Sequence, residues 1–225
     1  MFKNKLTKGD LFLIAINLVP LFGVWFKNWD PKQMFLIYGL ETVIAGFYNI
    51  IKMAIITLYR KTDTWENGAY KKKVSGWFFI LFFIMHYGLF VFVQMSIFGA
   101  VTGLIPTGLG FLGFMFHINR YLTHDSLLVL YGFMMVYGLQ MIMDFILKGE
   151  YRKTPLTFQM FQPYPRIFIQ QFVVIIGSMF LVFGAGKIFM VIFVVIKILF
   201  ELYFNFDKIL AKAQKDRELA AKSDS

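Results

Sequence analysis

The sequence predicts an all-α membrane protein, a bundle of six transmembrane helices with both termini in the cytoplasm. Three observations carry that prediction. Six stretches of the 225 residues are each long and apolar enough to cross a bilayer, and together they take up most of the chain. The composition is 58% hydrophobic and 20% aromatic with only 16% charged residues. The basic residues alternate in number from one connection to the next. A spanning helix needs roughly 20 mostly apolar residues to cover a hydrocarbon core of roughly 30 Å.

The first span is read over residues 11–26. Thr7 and Asp10, three apart before it, form an acidic variant of a capping box. Pro20 falls inside this span, where it frees a backbone carbonyl and is expected to kink the helix. A turn at Asp30-Pro31 leads to the second span, 34–59. The remaining spans are 77–101, 126–147, 166–183 and 187–206. Residues 1–207 thus form one six-helix domain, and 208–225 a basic cytoplasmic tail too short to bury a core.

Orientation follows from Lys and Arg. The N-terminal arm, the 60–76 connection, the 148–166 connection and the tail hold 17 of them. The opposite side holds four: Lys27, Lys32, Arg120 and Lys187. Basic residues accumulate on the cytoplasmic side, so the heavy side is inside. Five or seven spans would scramble the alternation. The place expected is a bacterial inner membrane.

Residues 103–125 on the outer side resist the scheme. Their apolar run Leu109–Phe116 is too short to span. It is either a re-entrant or interfacial segment, or an outer extension of the third or fourth span.

Several chemistries are excluded or disfavoured. The chain has no cysteine, hence no disulfide, thiolate ligand or cysteine nucleophile. The net charge of +10 would suggest nucleic acid in a soluble protein. Here positive-inside loops account for it, so no nucleic-acid partner is expected. No cleavable leader stands out at the first apolar run. Ser178 lacks the flanking pattern and the histidine partner of an intramembrane serine protease. There is no glycine-rich phosphate loop. His117 and His124, seven apart beside Asp125, could face one zinc ion. Chance clustering on a surface is the better reading, and no metal or cofactor is expected.

Polar residues inside the spans are costly and face the bundle interior. Span two carries Glu41, Asn49 and Lys52, whose offsets of eight and eleven share a helix face. Span three carries His86 and Gln94, and span four Gln140 and Asp144. Span five opens with Arg166, Gln170 and Gln171. Span six carries Lys197, Glu201 and Asn205 at four-residue intervals. By depth, Lys52, Asp144, Arg166, Gln171, Glu201 and Asn205 belong to the cytoplasmic half. Asn49, His86 and Lys197 belong near the middle, and Glu41 and Gln94 toward the outside. Two acids and two bases of the inner half would neutralise one another. His86 is expected to face the interior, free of metal, with a polar partner from span two or six. Ten of these candidates (all but Gln94, Gln140 and Gln170) either glue the bundle together or line a polar cavity that binds something.

The residues also resemble a bacterial integral-membrane family of unknown function. The matching pieces are Asn17-Leu-Val-Pro-Leu21 with Gly23, Trp29-Asp30, Tyr38 and Glu41, and Asn49-Ile-Ile-Lys-Met53. They continue with His86-Tyr-Gly-Leu-Phe90, Pro163-Tyr-Pro-Arg166 and Lys197. The resemblance covers nearly the whole chain. It implies a shared fold and no activity. The family tends to carry histidines where this chain has Gln94, Gln171 and Asn205, and an aspartate where it has Glu201. A histidine-rich ligand set elsewhere in the family would therefore be mostly lost here.

The function expected is a non-catalytic one: a small-molecule-binding or lipid-binding subunit, or an assembly subunit, in contact with the bilayer and in a homo- or hetero-oligomer. A transporter or channel using the inner-half charges is the alternative, and a membrane metalloenzyme the next. An assembly subunit should show small residues on an outward face, with Gly132 and Gly138 of span four as candidates.

Overall fold

The computed structural model describes residues 8–67, 70–103, 108, 110–117 and 120–203. The protein is mostly helical, with one small hairpin. Its elements are α1 (Lys8–Phe26), α2 (Pro31–Arg60), β1 (Thr62–Asn67), β2 (Tyr70–Ser75), α3 (Gly76–Thr102), α4 (Gly110–Phe116) and α5 (His124–Gln140). A π-helical turn, Met141–Ile146, extends α5, and a 3-10 turn at Glu150–Arg152 follows. The chain continues with α6 (Leu156–Phe161), α7 (Tyr164–Val182) and α8 (Gly186–Tyr203).

Three helices are long and apolar enough to cross a bilayer: α2, α3, and α5 with its π turn. Their burial separates them. The apolar window of α2 is 67% buried inside the protein, against 33% for α3 and 22% for α5. Large apolar side chains such as Leu81, Met85 and Leu89 on α3 and Leu128, Tyr131 and Met135 on α5 are exposed. Exposed apolar faces of that extent suit lipid rather than water.

α2 is the hub. It packs against α1, α3, α5, α6, α7 and α8. Around it, α3 meets α7, α7 meets α8, α8 meets α1, and α1 meets α5. Local chemistry starts α2 three residues earlier than its apolar run suggests. The Asp30 carboxylate accepts the Lys32 backbone N–H at 3.0 Å. Pro31 takes the first helical position, where a missing N–H costs nothing. Before this, Trp29 folds back on Gly23: a Cβ there would lie 2.0 Å from the indole ring. α1 is a continuous helix through Pro20. Thr7 of the expected cap lies outside the described residues.

Close helix approach depends on glycine. A Cβ on Gly39 would meet Met95, and on Gly46 would lie 2.5 Å from the Tyr87 ring. Gly177 likewise faces Phe189 and Phe35. Small residues at helix contacts in lipid let backbones approach where there is no hydrophobic drive between helices. Gly132 and Gly138 belong to this group. Gly132 lies against Ile16 of α1, and Gly138 against Tyr48 of α2. They are therefore internal contacts, not the outward partner surface that the sequence suggested.

Two regions differ from their sequence reading. The charged connection between spans two and three forms a hairpin, with Trp65 opposite Lys72 and Asn67 opposite Tyr70. The Asn67-Gly68 pair is a hairpin signal that the run of charges obscured. The short apolar run of the outer segment forms its own helix, α4, so it extends neither neighbouring span. Phe114 of α4 is buried while Leu112 and Phe116 are exposed.

Gly46→Ala should destabilise the protein by about 1–3 kcal/mol, because the new methyl displaces Tyr87 from its site on α2. Gly88→Ala, with nothing within 4 Å of its Cβ, should stay within about 0.5 kcal/mol of wild type. Thermal melts in detergent of both variants check this.

Candidate functional site: a buried ion pair at the centre of the bundle

Glu41 lies on the hub helix with no exposed surface, and Lys197 on α8 is 6% exposed. The Lys197 ammonium donates to Glu41 Oε2 at 2.5 Å. It also donates to the side-chain oxygen of Asn17 on α1. The second carboxylate oxygen of Glu41 accepts from the Tyr137 hydroxyl of α5 at 2.9 Å. Tyr38, one turn before Glu41, donates its hydroxyl to the Asn17 carbonyl at 2.6 Å. The ammonium sits 5.0 Å from the Tyr38 ring centroid and 5.3 Å from that of Phe133. Four helices thus meet at one charge pair.

Depth agrees. Glu41 is ten residues from the start of α2 and Lys197 eleven from the start of α8. At 1.5 Å per residue both are about 15 Å below the same end of the bundle. The expectation that Glu41 lies nearer the outside than Lys197 is corrected by their contact.

Three further polar layers grip α2. Thr42 donates to the Gln170 carbonyl oxygen, and Gln170 donates back to the Tyr38 carbonyl. On the other side Tyr87 donates its hydroxyl to the Thr42 carbonyl at 2.9 Å. Toward the hairpin end, Gln159 of α6 donates to Asn49 Oδ1 at 2.7 Å. At the opposite end, Gln33 donates to the Tyr121 carbonyl at 3.0 Å and accepts from Ser126.

The other candidates divide. Lys52 is half-buried with its ammonium over the Phe145 ring at 5.6 Å. Asp144 is exposed and pairs with Lys148, one turn on. That hydrogen bond, then the carboxylate's charge, raises the Lys148 pKa above its usual value. The expected inner-half neutralisation is therefore replaced, for Asp144, by a local surface pair. Gln171 donates to the Phe90 carbonyl at 3.0 Å. The side chains of Arg166 and Glu201, and all of Asn205, lie outside the described residues.

His86 departs from expectation. It is exposed, and Nδ1 lies 2.8 Å from the Tyr164 hydroxyl of α7, not against span two or six. The reason is helical phase. The buried stripe of α3 runs through Phe83, Tyr87, Val91, Gln94 and Phe98. Eight residues leave His86 about 80° away from Gln94 around the helix. Tyr87 takes the interior position against Gly46, and the Tyr164 hydroxyl supplies the imidazole's partner from a neighbouring helix.

Sequence reading missed Asn17, Tyr38, Thr42, Tyr137 and Gln159 as members of these layers. Asn17 was visible as the one amide within the first span. The tyrosines carry no pattern that separates a hydroxyl on a carboxylate from aromatic filling. Among the described residues, no three His, Asp or Glu side chains converge as a metal site would require.

The chain belongs to a family of unknown function, DUF6498, whose model matches residues 1–223. No curated protein and no solved structure matches it.

Removing one member of the central pair strands a buried ion. Glu41→Gln and Lys197→Met should each cost about 3–5 kcal/mol, and Glu41→Gln/Lys197→Met clearly less than their sum. Unfolding in detergent measures all three. Strictly additive losses would refute the coupling.

Proposed function

We propose that this DUF6498 protein is a non-catalytic integral-membrane component, a small-molecule-binding or lipid-binding subunit or an assembly subunit. In this reading it has six spans, both termini in the cytoplasm, in a bacterial inner membrane. The observation that supports it is the closure of the central ion pair. The pair is spent on neighbouring helices: Glu41 on Lys197 and Tyr137, Lys197 on Glu41 and Asn17. Side chains held by intramolecular partners of that kind act as interhelical glue. The helix positions support the span count, since α1, α2, α3, α5, α7 and α8 each cover one of the six apolar stretches. The exposed apolar flanks of α3 and α5 make the bilayer itself the first partner, and leave room for a homo- or hetero-oligomer.

The transporter reading has one observation in its favour. The polar layers follow one another along α2 from Gln33 through Glu41 and Thr42 to Asn49. Transport would require the ion pair to open in each cycle. Proteoliposomes loaded with a pH-sensitive dye separate the two readings. The wild type should leak protons no faster than protein-free vesicles. Flux that disappears in Glu41→Gln/Lys197→Met would establish transport instead.

Topology has its own test. Reporters placed after Ser225 and near Gly68 should both read cytoplasmic, and one near Thr107 external. The same side for Gly68 and Thr107 would sink the six-span arrangement.

A further inference from the structure

The β1–β2 hairpin connects the end of α2 to the start of α3, two of the three helices long and apolar enough to cross a bilayer. Chain geometry alone therefore sets it at a membrane surface. It is also fixed in orientation. The Gly76 N–H donates to the Lys61 carbonyl at 2.9 Å and closes its base. Asp63 accepts the Leu156 N–H at 2.6 Å and lies 3.8 Å from Arg60. Arg60 in turn donates to the Thr154 carbonyl.

This clamp turns one face of the hairpin onto α3. The Trp65 ring lies 5.6 Å from Phe79 and 6.0 Å from both Phe78 and Phe82. Phe78 and Phe82 are themselves exposed on the flank of α3, and Trp77 beside them is 60% exposed. Directly opposite Trp65 stands Lys72, and opposite Thr64 stands Lys73. Cross-strand partners share a face, so Lys72 flanks Trp65 and Lys73 lies on the reverse side. Lys61, Lys72 and Lys73 are exposed, and none forms an ion pair with a described residue. Interfacial tryptophans next to unpaired cations, above an apolar flank, match the layering of a leaflet: acyl chains, then headgroups.

We propose that this hairpin is an anionic-phospholipid site, in which Trp65 and Trp77 sit at the headgroup boundary, Lys72 holds the phosphodiester beside Trp65, and Lys73 on the reverse side adds attraction for neighbouring anionic headgroups. The ligand chemistry is a headgroup phosphate that carries net negative charge. The proposal rests on the membrane reading above, but not on which side faces the cytoplasm.

The test uses the full chain in nanodiscs of phosphatidylcholine, and in discs with about one-third phosphatidylglycerol added. The wild type should melt at a higher temperature in the anionic discs, and about 1 M salt should abolish the difference. Lys72→Gln/Lys73→Gln should lose at least about half of the difference while melting like wild type in phosphatidylcholine. Lys72→Arg/Lys73→Arg should keep it. Lys27→Gln/Lys187→Gln removes two exposed lysines from the opposite end and should also keep it. An undiminished difference in the hairpin glutamine variant would overturn the proposal. So would an equal loss in the opposite-end variant, or a lowered melting point in pure phosphatidylcholine, which would assign the lysines to the fold. Both disc faces carry the same lipid, so an inverted topology would refute the orientation and leave this result standing.

Discussion

A carboxylate with no exposed surface, a third of the way along a helix of apolar neighbours, tolerates few surroundings. Desolvation of a lone ion costs several kcal/mol even after relaxation, and lipid supplies no compensating donor. Glu41 resolves this with Lys197 on one oxygen and Tyr137 on the other. Those two partners, together with Asn17, come from α8, α5 and α1. Satisfying one charge therefore fixes three helices around the fourth. The remaining layers repeat the device with neutral groups. Gln170 and Tyr87 bring in α7 and α3 at Thr42, and Gln159 brings in α6 at Asn49.

The arrangement explains why α2 is buried as no other long helix is. Its polar positions face different neighbours in turn, so no single flank is left for lipid over its first half. α3 and α5 each lend one stripe to α2 and give the rest of their circumference to the surroundings. Apolar contact alone would not choose among rotations of such helices, because lipid tails are as apolar as leucine. Hydrogen bonds and the close approaches at Gly39, Gly46 and Gly138 supply the choice.

The same economy bears on function. Polar groups that hold one another are poor candidates for cycling between states, and this favours a component that binds or assembles over one that converts or carries. At the hairpin, exposed lysines form no ion pair with a described residue. There Lys72 stands beside an aromatic cluster at the start of α3, and Lys73 on the reverse side of the hairpin.

By itself, the sequence determined that the chain is helical and apolar, where each long helix lies, and that Glu41 and Lys197 belong to the interior. Run length, Lys and Arg counts and the cost of an intramembrane charge are local properties, and they survive without coordinates. Tertiary structure decided the rest. That Glu41 pairs with Lys197 depends on α2 and α8 sharing a depth across a separation of 156 positions. That Tyr87, not His86, takes the interior of α3 is a rotation of one residue, about 100°, set by the glycine it packs on. Gly132 and Gly138 look identical in sequence whether they meet another chain or Ile16 and Tyr48 of their own. A pattern of residue types fixes which face of a helix is special. Only packing fixes what that face meets.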